Sequence, residues 1–242
     1  MSQHKYIILD RDGVLNYDSN TFIKNPEEWL VLPRSLEAIA LLTKNNYRTL
    51  LISNQSGVGR GVITYEDFIG IHNKLISSCS KQGGSIFSTF YCYDHPDNPT
   101  DNRKPKPGMY LELADRLNIN LSDVFAIGDS PRDMKAALAS GCKPLGVKTG
   151  NGKRIEDEMP DIDMFDVEVK LQVCILILCS SPLTRDLEAP SSIDREDFTK
   201  SANFVLPQEW LELDAVSVVA SVNIPYVSEP PTRVLGSGME VL

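Results

Sequence analysis

The sequence predicts an α/β fold: a parallel sheet with helices on both faces. Five short apolar runs carry this prediction. Tyr6–Leu9, Thr49–Ile52, Ile86–Tyr93, Val124–Ile127 and Leu145–Val147 each end in a polar or glycine-containing segment and have the length of a buried strand. Amphipathic stretches lie between them, and strands alternating with helices pack as a parallel sheet covered on both sides. At 242 residues the chain can bury such a core without disulfides. In Rossmann-like sheets of this kind the reactive residues gather at the carboxyl ends of the strands.

The elements follow in order. Tyr6–Leu9 leads into Asp10 and Asp12. Arg34–Lys44 carries Leu36, Ile39, Ala40 and Leu42 near helical spacing. Only about twenty residues separate Gly13 from that helix, and no long insert stands between Asn54 and Lys104, so no large cap domain is expected. Thr49–Ile52 leads into Ser53 and Asn54. Tyr65–Ser80 carries Phe68, Ile69, His72, Leu75 and Ile76. Ile86–Tyr93 reaches Arg103 and Lys104 through a loop. Pro107–Leu117 and Pro131–Ser140 each open with a proline suited to a helix start, and Gly141 is a helix stop. Val124–Ile127 lies between them and leads to Asp129 and Asp133. From about residue 170 the alternation fails: Ser180–Ala202 is rich in Ser, Pro and acids, and Phe204–Leu211, Val216–Val222 and Glu229–Pro231 read as extended or irregular. One domain is expected over residues 1–170, with an extension over 171–242 that carries no assignable chemistry.

The formal net charge of −9 disfavours nucleic acid, whose binding needs Lys and Arg to neutralise phosphates. A small phosphorylated ligand needs only a few local charges. The five cysteines (Cys79, Cys92, Cys142, Cys174 and Cys179) are odd in number and irregular in spacing. That argues against a disulfide framework and for a reducing, cytoplasmic setting. Acids at Asp10 and Asp12 leave no room for a signal peptide at the N-terminus. The longest apolar run, Val173–Cys179, is too short to cross a bilayer, so no membrane association is expected.

Four segments carry chemistry. In Leu9-Asp10-Arg11-Asp12-Gly13 two carboxylates stand two apart after a strand, on one side of the chain if it stays extended. One can attack a phosphoryl group to give an aspartyl-phosphate. The other can protonate the leaving oxygen and then activate water. Such a pair alone reads equally well as a solvated turn. Gly128-Asp129-Ser130-Pro131-Arg132-Asp133 shifts the balance. Mg²⁺ favours a few oxygen ligands plus waters and substrate phosphate, which Asp10, Asp129 and the Asp12 backbone carbonyl could supply. Helix capping accounts for part of Asp133. Ser53-Asn54-Gln55-Ser56 offers a hydroxyl and amides to phosphate oxygens, and Gly57, Gly59 and Gly61 allow either a tight loop near a ligand or a mobile one. In Arg103-Lys104-Pro105-Lys106, Lys104 is the candidate cation that offsets the gathered negative charge. Arg103 could fork onto a second phosphate or an oxygen-rich substrate, and Lys106 reads as a surface charge.

Together these segments resemble the haloacid dehalogenase-like superfamily over about residues 5–150. The resemblance implies Asp10 as nucleophile, Asp12 as acid/base, Ser53 and Lys104 in the phosphate site, and Asp129 as a Mg²⁺ ligand. The second aspartate implies phosphatase rather than dehalogenase chemistry. Within the superfamily, DRDGVLN at 10–16, SNQSGVGRG at 53–61, RKPKPGM at 103–109 and GDSPRDM at 128–134 are similar to the D-glycero-D-manno-heptose-1,7-bisphosphate 7-phosphatases, which serve activated-heptose and lipopolysaccharide precursor synthesis. Histidinol phosphatase domains are similar relatives. This finer resemblance implies a phosphorylated sugar as substrate, with Asn16, Asp18, Asn54, Gln55, Ser56, Arg103 and Lys104 around it. Ser130 stands where close relatives often carry Lys.

Many relatives also hold a structural zinc in a Cys-x-His pair followed by a Cys-x-Cys pair. Here Cys92-Tyr93-Asp94-His95 and Thr100-Asp101-Asn102 retain only Cys92 in register. A structural site needs four ligands, so no zinc is expected and Cys92 reads as a half-buried strand residue. Two other readings compete. A polynucleotide 3′-phosphatase would also use an open site, but the chain is acidic and lacks a basic stripe. A non-catalytic binding protein would have no need of the nucleophile. The expected enzyme is a monomer.

Overall fold

The structure, a computed structural model, describes residues 5–165 together with the backbone of 233–236 and 239–241. The predicted strands appear as β1 (Lys5–Leu9), β2 (Tyr47–Asn54), β3 (Ile86–Cys92), β4 (Phe125–Gly128) and β5 (Lys143–Val147). The predicted helices appear as α1 (Ser35–Lys44), α3 (Tyr65–Lys81), α4 (Gly108–Leu117) and α5 (Pro131–Ser140). Among the α-helices and strands of residues 5–165, three were not expected: α2 (Ser56–Gly59), α6 (Gly152–Glu158) and β6 (Met164–Phe165). α6 buries only Gly152 and Ile155, too little apolar periodicity to be read from sequence.

The strand order is β6-β5-β4-β1-β2-β3, all parallel. Two further strands, β7 (Arg233–Gly236) and β8 (Met239–Val241), continue the sheet beyond β3, the last antiparallel. The rest of the 171–242 extension, with Cys174 and Cys179, lies outside the described residues. From β1 the chain winds outward through β2 to β3, then crosses back to β4 on the other side of β1. That reversal is a topological switch point, where the carboxyl ends of neighbouring strands open a crevice. Leu9 pairs with Ile127 across it, and Asp10 N–H donates to the Ile127 carbonyl at 2.9 Å.

Side chains alternate across the sheet. Ile8, Leu50, Ile52 and Phe90 join Met109, Tyr110, Leu113, Ala136 and Ala137 in one core under α4 and α5. The other face is covered by α1 and α3, which bury Leu36, Ile39 and Leu42 and Phe68, Ile71, Leu75 and Cys79 at helical spacing. Local chemistry sets the ends. Thr64 caps α3 by accepting from Asp67 N–H at 3.0 Å, and Gly141, at φ +85°, closes α5.

Several local expectations are corrected. β2 runs on to Asn54, so Ser53 and Asn54 belong to the strand rather than to a loop after it. Arg34 lies outside α1, in the left-handed region at φ +60°. Gly57 and Gly59 form neither the tight nor the mobile loop expected: they sit in α2, where a Cβ would run into the Ile63 side chain and the Tyr93 carbonyl respectively. Cys92 is fully rather than half buried. The three described cysteines, Cys79, Cys92 and Cys142, are free and buried. No helix of the described residues is long and apolar enough to cross a membrane.

Leu50 is fully buried in the central strand pair. Leu50→Ala is expected to cost about 2–5 kcal/mol of stability through lost burial and the cavity left behind, measured as a lower urea midpoint with an unchanged slope.

Candidate active site

Four strand ends converge on the crevice. β1 delivers Asp10 and Asp12, β2 delivers Ser53 and Asn54, and β4 delivers Asp129. The loop after β3 brings Lys104 back over β2. The crevice is about 410 Å³, and its lining includes Asp10, Asp12, Asp18, Ser53, Arg103 and Arg132.

Its centre is charged and buried. Lys104 Nζ lies 3.1 Å from Asp10 Oδ1 and 2.6 Å from Asp133 Oδ1, and donates to the Ile52 carbonyl at 2.9 Å. Asp10 Oδ1 also accepts from Arg11 N–H at 2.7 Å. Asp133 Oδ2 accepts from Ser130 N–H at 3.0 Å and meets the Ser130 hydroxyl, so Asp133 both caps α5 and anchors Lys104. Lys104 is itself held by Asn54: the Asn54 amide donates to the Lys104 carbonyl at 3.0 Å and accepts its N–H at 3.1 Å.

Asp129 occupies a fitted cradle. Its Oδ2 accepts from the Asn151 N–H at 2.8 Å and from the Asn151 side chain at 3.1 Å. A Cβ at Gly13 (φ +75°) or Gly150 (φ +56°) would run into the carboxylate, so both positions need glycine for space as well as for conformation. Asp129 Oδ1 is buried and has no hydrogen-bond partner among the described residues. One oxygen each of Asp10, Asp129 and Asp133 lie within 4.8 Å of one another. An orphaned buried carboxylate oxygen beside two further acids fits a bound divalent cation. Both oxygens of Asp133 face Lys104 or Ser130, which leaves Asp10 and Asp129 as the better placed side-chain ligands.

The electrostatics agree. Burial pushes the Asp129 carboxyl up to about 7, helped by Asp133 and Asp10. Burial pushes Asp10 up to about 6 despite the opposing charge of Lys104. Asp133 is also buried, but Lys104 and Arg132 hold it below the usual carboxylate range. Lys104 and Arg132 together still leave the three acids short of positive charge.

Asp12 lives in a different setting. Burial acts to raise its carboxyl, but the Arg11 charge and the hydrogen bonds from Arg11, Asn16 and Gln55 bring it below the usual range. Arg11 forks onto it at 2.9 and 3.0 Å, Asn16 donates at 2.8 Å and Gln55 at 2.8 Å.

The expected substrate-contact residues divide. Asp18, Asn54, Gln55, Ser56 and Arg103 line the crevice. Arg103 also donates to the Asp94 carbonyl at 3.1 Å. Asn16 is fully buried beneath Asp12 and does not line the crevice, contrary to the expectation that it lies against substrate. Gln55 commits both amide hydrogens to Asp12 and Ser53 and its oxygen to Arg11, whereas Asn54 spends one amide hydrogen and its oxygen on Lys104. Ser53 Oγ accepts from Gln55 at 3.1 Å, which leaves its own hydrogen to donate. Lys106 is exposed and pairs with Asp101, as expected of a surface charge. In the loop compared with zinc sites, Cys92 is buried whereas His95 is exposed and turned onto the Asp97 N–H at 3.3 Å.

Arg11, Asn151 and Gly150 were not anticipated. Arg11 carried a legible signal, since an Arg between two acids at the end of an apolar strand points to a paired buried charge. The Gly-Asn-Gly run at 150–152 after the last predicted strand was a legible turn signal.

A raised carboxyl favours the folded state most below its unfolded value and loses that advantage as pH rises through the folded value. Wild type is therefore expected to lose stability relative to Asp129→Asn as pH rises from about 4 to 8 in chelator, and added Mg²⁺ should restore it. Thermal melts of both proteins across that range check this.

The comparisons with known proteins agree with this geometry. A family model described as HAD-hydrolase-like matches residues 102–166. The D-glycero-beta-D-manno-heptose-1,7-bisphosphate 7-phosphatase of Bordetella bronchiseptica is 46% identical over 150 residues, 62% of this chain and 84% of that protein. The enzyme of the same name from Pseudomonas putida is 44% identical over 158 residues, 65% of this chain and 90% of that one. The crystal structure of the B. bronchiseptica D,D-heptose 1,7-bisphosphate phosphatase with magnesium and phosphate superposes with a TM-score of 0.69 at 40% identity, covering 73% of this chain and 99% of that one. A fold, a crevice and relatives that agree over most of the relatives' length leave one conclusion: the chain belongs to the haloacid dehalogenase-like phosphatases.

Proposed function

We propose that the chain hydrolyses the 7-phosphate of D-glycero-D-manno-heptose 1,7-bisphosphate, in the β-anomeric form that the B. bronchiseptica and P. putida relatives are named for. The observation that carries the reading is the placement of Asp10. Its buried carboxylate stands 3.1 Å from the Lys104 ammonium, beside the orphaned oxygen of Asp129 and two residues from the clamped Asp12.

In the first step an Asp10 carboxylate oxygen attacks phosphorus and the ester P–O bond breaks. The leaving sugar oxygen takes a proton from Asp12, which must be protonated as substrate enters. In the second step water attacks the aspartyl-phosphate, giving its proton to the Asp12 carboxylate, and the Asp10–phosphoryl bond breaks to release phosphate. Lys104 and the Ser53 hydroxyl offset charge on the non-bridging oxygens. Asp10 and Asp129, with the Asp12 carbonyl, would hold Mg²⁺, which neutralises phosphoryl and carboxylate charge when bound. Arg103 and Asp18, which line the crevice, would face the sugar and its second phosphate. The missing Cys and His ligands support a chain without structural zinc, and one stoichiometric zinc on metal analysis would overturn that part.

Phosphate release from heptose bisphosphate, histidinol phosphate, other sugar phosphates and 3′-phosphorylated DNA tests the reading. Heptose bisphosphate is expected to be preferred, and preference for histidinol phosphate would replace it. Asp10→Asn is expected to lose at least roughly a thousandfold in kcat, and chelation of Mg²⁺ should abolish turnover. Turnover equal to wild type in Asp10→Asn would refute the mechanism.

A further inference from the structure

Gln55 sits at the hub of a buried network. Its Nε2 donates to Asp12 Oδ2 at 2.8 Å and to Ser53 Oγ at 3.1 Å, and its Oε1 accepts from Arg11 Nη2 at 2.8 Å. Reversing the amide would set NH₂ against a guanidinium and oxygen against a carboxylate, so the neighbours fix its orientation. Both amide hydrogens are therefore committed. Arg11 grips both oxygens of Asp12 from behind, and Asn16 adds a donor to Oδ1. Each Asp12 oxygen thus takes two donors, and one of the four bonds runs through Gln55 to Ser53.

This linkage has a geometric meaning. Ser53 grips a non-bridging oxygen and Asp12 serves the bridging oxygen of the same phosphorus centre. A fixed spacing between them decides whether the proton reaches the oxygen that leaves. A misplacement of about 1 Å in such a constellation can cost roughly a hundredfold. We propose that Gln55, backed by Arg11, is a positioning residue that holds the Asp12 carboxylate in register with the Ser53 hydroxyl, and that it serves proton donation to the leaving oxygen rather than phosphate binding. The inference rests on the acid role of Asp12 given under the proposed function.

The test uses leaving groups. A sugar alkoxide needs a proton to depart, whereas para-nitrophenolate leaves readily without one. The readout is kcat/KM for heptose bisphosphate divided by kcat/KM for para-nitrophenyl phosphate. Both substrates present the same phosphoryl group, so lost phosphate binding cancels, as does any inactive fraction of a poorly folding variant. Gln55→Met is expected to lower the ratio at least roughly tenfold, and Asp12→Asn to lower it further. Arg11→Lys, which keeps the charge but loses the fork, should lower it too. The double variant Asp12→Asn/Gln55→Met should show a ratio no lower than Asp12→Asn alone, because residues acting as a unit do not add. If Asp12→Asn lowers the ratio but Gln55→Met and Arg11→Lys leave it unchanged, the positioning role is overturned and the acid role stands. A ratio that falls further in the double variant also overturns it. If Asp12→Asn leaves the ratio unchanged, the acid role falls and the inference with it.

Discussion

Lys104 is buried between Asp10 and Asp133, and the rest of the site is arranged around keeping it there. Removing one partner from a buried ion pair typically costs about 3–5 kcal/mol, because the other charge stays behind uncompensated. A lysine in this position needs its backbone fixed as firmly as its ammonium. Asn54, at the end of a central strand, does this with a reciprocal pair of hydrogen bonds to the Lys104 peptide groups. The long loop after β3 thereby places a cation over a strand that it does not adjoin in sequence.

The neighbouring aspartates show how environment separates like groups. Burial, helped by repulsion from Asp133, raises both Asp10 and Asp129, in Asp10 against the pull of Lys104, so they resist ionisation without a further cation. Asp12, two residues from Asp10, is gripped by a guanidinium and two amides and ionises easily. The sorting follows from a turn: the chain leaves its extended course after Asp10, with Gly13 at positive φ pressed against Asp129. One acid is left with the metal-type cluster and the other with its own hydrogen-bonding shell. In the proposed reaction a segment of four residues would serve both the attacking and the leaving end.

Much of this was legible in the sequence. Apolar runs bounded by acids and glycines marked the five main strands, because a strand buried on both faces has to be continuously apolar. Periodicity marked the four main helices for the complementary reason. The residues carrying chemistry stood at strand ends, and Asp10, Asp12, Ser53, Lys104 and Asp129 do line or underlie one crevice. α6 and β6 were not legible, since a short element that buries one or two side chains leaves no periodic trace.

What sequence alone determined was therefore the inventory: a parallel sheet, a set of acids with one committed lysine, and membership of a phosphatase family. Tertiary structure decided the division of labour among those residues. Asn16 and Gln55 were expected among the ligand contacts, yet their amide hydrogens are engaged within the protein. Arg11 had no role assigned from sequence and is the buried fork behind Asp12. The physical reason is that a polar side chain announces only its capacity for hydrogen bonds. Which partner satisfies that capacity depends on which groups the switch point between β1 and β4 brings within 3 Å, and that proximity is set by strand order rather than by spacing along the chain.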